Sequence, residues 1–158
     1  MEHRDTKSCG KLQELTHEIN RYRWNILGLC EMRWENFGET TTEEGHKVLF
    51  SGKEDKLEHG VGFLVYKDIV NTVMGCRPVS SRLISIRLMA TPFNITIVQA
   101  YAPTSDYDDN KIEEFYDQLQ NVIDQTPKMD ILVAQRLEWK SGQECLWKLG
   151  RHLWTLLQ

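Results

Sequence analysis

Residues 26–34 read Ile26-Leu27-Gly28-Leu29-Cys30-Glu31-Met32-Arg33-Trp34, an apolar run that ends abruptly on a carboxylate. The apolar part, residues 25–30, has the length of a strand covered on both faces. Upstream, Leu12, Leu15, Ile19 and Tyr22 fall at i, i+3, i+7 and i+10, which predicts an amphipathic helix leading into it. Residues at the carboxyl ends of strands in α/β sheets line the usual ligand crevice. Glu31 is therefore the first candidate site residue. A carboxylate there can hold Mg²⁺, which takes one or two carboxylates and fills its other positions with water and substrate phosphate. The plain alternative is a solvated loop glutamate.

Downstream, residues 31–44 are polar and loop-like. Four strands are expected at 46–51, 61–67, 71–77 and 82–89. The last alternates well, with Leu83, Ser85, Arg87 and Met89 against Ile84, Ile86 and Leu88. Residues 94–100, Asn-Ile-Thr-Ile-Val-Gln-Ala, are rich in β-branched side chains and form a fifth. Asp108 or Asp109 can cap the next helix, whose buried stripe is expected to be Ile112, Phe115, Tyr116, Leu119, Val122 and Ile123. That helix stops at Thr126-Pro127, and residues 130–134 read as a further buried strand. Short turns between neighbouring strands imply antiparallel pairing, and the helical crossover implies a parallel pair. The fold class is α/β (α+β): a mixed sheet with helices on one face.

The length of 158 residues fits one domain large enough to bury a core. A net charge of −4 offers no basic footprint for tight, sequence-independent nucleic-acid binding. It does not exclude a nuclease, whose metal sites are themselves built from carboxylates. Cys9, Cys30, Cys76 and Cys145 show no CxxC spacing, which argues against zinc and fits a reduced, intracellular chain in nucleus or cytoplasm. The first residues are too polar for a secretory signal, and no apolar run is long enough to span a bilayer. Composition breaks near residue 136. Arg136, Lys140, Lys148 and Arg151 outnumber Glu138 and Glu144, and three of the five tryptophans, Trp139, Trp147 and Trp154, lie in this tail.

Tyr101 ends the fifth strand in Val-Gln-Ala-Tyr-Ala-Pro-Thr, and its hydroxyl can donate to a phosphate oxygen; half-buried packing before a proline is the alternative. Arg82 opens the alternating strand and can reach a phosphate or stand as a surface cation. His59-Gly60-Val61-Gly62-Phe63-Leu64-Val65 reads as a tight turn into a strand. His46 and His152 have no partner at metal or base spacing and read as surface residues.

Ile-Leu-Gly-Leu-Cys-Glu-Met-Arg-Trp, Gly-Val-Gly-Phe-Leu-Val and Ile-Val-Gln-Ala-Tyr-Ala-Pro-Thr occur in that order. The series resembles the endonuclease/exonuclease/phosphatase family, and specifically the apurinic-endonuclease-like domain of non-LTR retrotransposons, over roughly residues 10–135. The resemblance implies a DNase I-like four-layer sandwich, two β-sheets face to face with helices outside. It implies Mg²⁺-dependent hydrolysis of a DNA phosphodiester. It also implies Glu31 as metal ligand, Tyr101 as the phosphate-contacting tyrosine and Arg82 as a supporting basic residue.

The chain departs from the family at three places. Asp5-Thr6-Lys7-Ser8-Cys9 stands where the family has an opening strand with an asparagine. Gln135-Arg136-Leu137-Glu138-Trp139-Lys140 stands where it has Gly-Asp-x-Asn. No Ser-Asp-His occurs, the nearest string being Ser105-Asp106-Tyr107 in a different loop. The expectation is an incomplete sandwich over residues 1–135, lacking most of its partner sheet and weakly stable. Residues 136–158 form a divergent tail, helical along Leu146, Leu149, Leu153 and Leu157. The expected function is a truncated Mg²⁺-dependent DNA endonuclease, inactive for want of its other site residues. The alternatives are a non-catalytic protein- or nucleic-acid-binding fragment and a remnant without function.

Overall fold

The computed structural model describes residues 6–136 and 147–148. The decisive stretch forms β1 (Ile26–Cys30), buried at every position. Its two faces serve two cores. Ile26 and Cys30 pack with side chains of a second sheet, while Leu27 and Leu29 pack with Ile19, Leu12 and Leu15 of α1 (Thr6–Ile19). A period of two makes this possible, since alternate residues leave opposite faces of the strand.

Around β1 lie β2 (Phe37–Thr41), β3 (Lys47–Lys53) and β4 (Lys56–Val65), with a two-residue β9 (Trp147–Lys148) on the other side. The sheet order is β2-β3-β4-β1-β9, antiparallel throughout. A 3₁₀ turn, Lys67–Thr72, carries the chain to a second sheet of β5 (Val73–Ser80), β6 (Leu83–Leu88), β7 (Ile95–Ala100) and β8 (Ile131–Arg136). Here β5, β6 and β7 pair antiparallel, and β7 and β8 pair parallel across the crossover helix α2 (Asp109–Gln125). The helix begins where Asp108 accepts from the Asn110 amide at 3.4 Å, and it ends at Thr126 ahead of Pro127. The mixed sheet and the capped crossover helix match the sequence reading.

The sheets face one another across Leu49, Val61, Phe63 and Val65 on one side and Ile84, Ile86, Leu88, Ile95 and Ile97 on the other. On the outer face of the second sheet, Leu83, Val98 and Ala100 pack with Phe115 and Val122 of α2. The layers are helix, sheet, sheet, helix, the sandwich expected from the family likeness. The expectation that the partner sheet is largely missing is overturned: a five-stranded and a four-stranded sheet lie face to face among the described residues, and each fills the face the other would expose. Each of those fully buried Ile, Leu and Val side chains contributes about 1.5–3 kcal/mol of burial, which removes the reason given for weak stability.

Other readings are corrected by the same packing. Residues 31–44 are not all loop, because β2 pairs with β3 from Phe37↔Ser51 to Thr41↔Lys47. Tyr22 lies beyond α1 and is exposed. His46 is no surface residue but is 1% exposed. Its ring stacks on Tyr66 and meets the edge of Trp24, and its Nδ1 accepts from the Lys67 amide at 3.1 Å while Nε2 faces Glu44 at 3.2 Å. The expected strand at 71–77 begins only at Val73, after the 3₁₀ turn. In the tail expected to be helical, the two described residues, Trp147 and Lys148, pair instead as a strand with Gly28 and Leu27; Leu146, Leu149, Leu153 and Leu157, together with Trp139, Trp154, Glu138 and His152, lie outside the described residues. Among the described residues no helix is long and apolar enough to cross a membrane.

Candidate functional site

Three strands bring the candidate residues to one edge of the sandwich. β1 ends there at Cys30, β7 ends there at Ala100, and β6 starts there at Leu83, paired with Ala100. Parity then selects the inner face. Arg82 precedes Ile84 and Ile86 by the two-residue period, and Tyr101 follows Ile97 and Gln99, all on the side facing the first sheet. Glu31, Arg82 and Tyr101, chosen separately from the sequence, stand together at the mouth between the sheets.

The backbone at this edge is bent rather than extended. Cys30 pairs with Val61, and the ladder continues with Met32 N–H to the Gly60 carbonyl at 3.2 Å and Arg33 N–H to the His59 carbonyl at 2.8 Å. Between these bonds Glu31 and Arg33 take left-handed φ of 53° and 54°, opposite His59 at 57°. Such a conformation costs a residue with a Cβ roughly 1–2 kcal/mol, and strain of this kind gathers at functional sites. Gly60, at φ 95°, completes the turn; a Cβ there would meet the Arg33 nitrogen at 3.3 Å.

This turn brings His59 to the group. Its Nδ1 lies 3.7 Å from Glu31 Oε1, and Arg33 Nε lies 3.7 Å from Oε2. Both separations are ion-pair contacts longer than a hydrogen bond. Burial first, then the neighbouring Glu31 carboxylate, push the Tyr101 phenol well above its ordinary value, so it stays protonated as a donor. Burial, followed by the charge of Arg82, holds the His59 imidazole below 6.5, against the opposing pull of Glu31. The Arg82 guanidinium donates to the Tyr101 carbonyl at 3.1 Å and lies 5.0 Å from the Tyr101 ring and 4.9 Å from the Tyr107 ring.

The result is one carboxylate and one phenol beside Arg33, His59 and Arg82, a locally cationic spot on an acidic chain. Arg82 and Tyr101 can both donate to an anion's oxygens. Glu31 is the group able to ligate a cation, and no set of three His, Cys, Asp or Glu at metal-holding spacing occurs among the described residues.

Sequence reasoning missed His59, Arg33 and Tyr107. His59 had a signal, since it shares the period of Val61 and Phe63 and so falls on the inner face. Tyr107 had none, because a loop has no periodicity.

One buried contact explains why the motifs are spelt as they are. Gln99, 1% exposed, crosses from β7 and donates to Cys30 Sγ at 3.0 Å. Its amide oxygen fills the space that a Cβ on Gly28 would need. The glycine of the first motif and the glutamine of the third thus lock the two strands that carry Glu31 and Tyr101.

Most of the chain aligns with a known protein. It is 35% identical to Craniofacial development protein 2 of Bos taurus over 123 residues, which is 78% of this chain and 21% of that protein. It is 34% identical to Craniofacial development protein 2 of Tragulus javanicus over the same length and with the same coverage. The chain is homologous to part of Craniofacial development protein 2. It spans about a fifth of the length of these curated relatives. No family model matches the chain.

Proposed function

We propose that this chain carries a DNA-phosphate-binding half-site of the endonuclease/exonuclease/phosphatase type, derived from a non-LTR retrotransposon, that engages DNA without cleaving it unaided. The observation carrying this reading is the convergence of Glu31, Tyr101 and Arg82 on one sandwich edge, the three positions where the motif resemblance puts a metal ligand and two phosphate contacts. Arg82 offers a fixed fork of N–H donors and Tyr101 a protonated hydroxyl to the oxygens of one phosphodiester.

The described residues do not fit a complete Mg²⁺ site. Mg²⁺ demands near-octahedral oxygen donors and releases its waters reluctantly. Here one carboxylate stands with Arg33 and His59 at 3.7 Å on its two oxygens, and no second acidic residue joins it among the described residues. Hydrolysis also needs a group to activate water, and the position after β8, where the family has Gly-Asp-x-Asn, reads Leu137-Glu138-Trp139.

Fluorescence anisotropy with a labelled DNA duplex, combined with a plasmid-nicking assay in Mg²⁺, tests this reading. The expected result is binding that weakens as salt rises, reduced by Arg82→Ala, with no nicking. Mg²⁺-dependent nicking lost in Glu31→Gln would make the site a complete nuclease and refute the half-site. Absence of binding at low salt would refute the DNA reading and favour a protein-binding fragment.

A further inference from the structure

The Arg82 side chain is held in an unusual way. A carboxylate can fix an arginine through a bidentate pair, but it also offsets the positive charge. Among the described residues no carboxylate pairs with Arg82. Its guanidinium instead rests 5.0 Å from the Tyr101 ring and 4.9 Å from the Tyr107 ring, with a single donated bond to the Tyr101 carbonyl. A π face attracts the cation through its quadrupole and leaves the positive charge intact.

Tyr107 is well anchored for such a task. Its amide donates to the Thr104 carbonyl at 3.1 Å, closing a turn, and the next residue is Asp108, the N-cap of α2. The ring is half-buried, and the His59 ring stands 6.5 Å away. A half-buried loop tyrosine could serve packing alone. Packing does not require a guanidinium within about 5 Å of two ring centroids, however, and it does not explain why, among the described residues, the cation has aromatic neighbours in place of an acid.

We propose that Tyr107 is a positioning residue, which together with the Tyr101 ring clamps the Arg82 guanidinium by cation–π contact and presents it, still charged, to a DNA phosphate. This rests on the DNA-binding reading above. It adds a residue that the motifs do not mark, and it makes the anchored start of α2 part of the binding site.

The test uses the full chain, a fluorescein-labelled DNA duplex at low salt, and the Arg82 side-chain resonances in an NMR spectrum. Tyr107→Leu is expected to weaken binding about three- to ten-fold, the range set by cation–π energies, and to shift the Arg82 Hδ and Nε–Hε signals as a ring current disappears. Tyr107→Phe and Tyr107→Trp keep a π face and are expected to hold affinity near the wild-type level. Tyr107→Leu on an Arg82→Ala background is expected to cost nothing more. Where Tyr107→Leu fails to fold, Tyr107→Met, also without a π face, replaces it.

Affinity lost equally in Tyr107→Phe would overturn the proposal, since the hydroxyl would then be the working group. A loss that adds to that of Arg82→Ala, or Arg82 signals unmoved by Tyr107→Leu, would overturn it as well. If Arg82→Ala leaves binding unchanged, the phosphate-site reading itself falls and takes the role of Tyr107 with it.

Discussion

The contact between Gly28 and Gln99 invites a severe substitution, Gly28→Ala. An ideal Cβ at residue 28 would lie 2.9 Å from Gln99 Cδ and 3.3 Å from Nε2, and closer still to Oε1. Oε1 is the end of a flexible chain, but that chain is 1% exposed and closed in by the packed interior. Accommodation means pushing the amide off Cys30 Sγ, a bond of 3.0 Å, with no water to replace it. An orphaned buried amide costs about 1–3 kcal/mol, and overpacking of a dense core about 1–3 kcal/mol more. Replacing glycine returns about 0.4–1 kcal/mol through the unfolded chain. The net expectation is a loss of about 1–5 kcal/mol, centred near 3, each kcal/mol lowering Tm by roughly 2–4 °C for a domain of this size. Urea and thermal unfolding followed by circular dichroism measure it. Adding Gln99→Ala should relieve the strain, so the double-mutant cycle should show coupling above about 1 kcal/mol. A Gly28→Ala protein within about 0.5 kcal/mol of wild type, or an additive cycle, would refute this account of how the sheets are locked.

Two further predictions concern charge. Asp130, whose side chain is 3% exposed, receives Arg87 Nε at 2.8 Å, the second guanidinium nitrogen at 3.0 Å and Thr96 Oγ1 at 3.0 Å. The Arg87 bonds hold its carboxyl below the ordinary 3.8, so this stability is whole above that value and drains away as pH falls through the lower folded one. Asp130→Asn should cost about 1–2 kcal/mol at neutral pH, discounted because Arg87 is 38% exposed, and should flatten the acid limb of a Tm–pH curve; an unchanged limb would contradict the assignment. For His59, burial and then Arg82 place the folded imidazole below 6.5, so the folded chain binds that proton less tightly and loses stability as pH drops from 6.5 through the folded value. Arg82→Ala should raise the His59 titration midpoint and Glu31→Gln should lower it, read from the ring proton by NMR. A midpoint that falls in Arg82→Ala would show that the two side chains are not neighbours.

Much of this arrangement was legible in the residues. The run at 26–30 is apolar on both faces, and the structure covers it on both. α2 announced its cap and its stop, because local signals suffice for a crossover helix; of its expected stripe Phe115 and Val122 are buried, while Tyr116 is exposed. The count of sheets was not legible. β4 and β5 follow one another closely in sequence, as hairpin strands do, yet the 3₁₀ turn Lys67–Thr72 sends them to different layers. β2 escaped notice for another reason: none of its residues is fully buried, so an edge strand held by backbone pairing leaves no apolar alternation. His46 escaped because its burial depends on Trp24, Tyr66 and the Lys67 amide, partners scattered along the chain. For the site, the ends of β1 and β7 pointed to Glu31 and Tyr101. Only the pairing of β1 with β4 brings His59 beside them, and pairing is a property of the folded chain.

The turn at residues 80–82 deserves a mechanical reading. The Ser80 carbonyl accepts from Ser51 Oγ at 2.7 Å and the Ser81 carbonyl from the Gly60 amide at 3.0 Å, so it bolts β3 and β4 of one sheet to the start of β6 in the other. Glu31 and His59 ride on the first sheet, Arg82 and Tyr101 on the second, and the bolt sits beside all four. The group therefore behaves like the jaws of a caliper whose two arms are entire sheets. A small slip of one sheet over the other, caused by a change as remote as Ile86 or Phe63, would open or close the gap between Glu31 and Tyr101 without touching either residue.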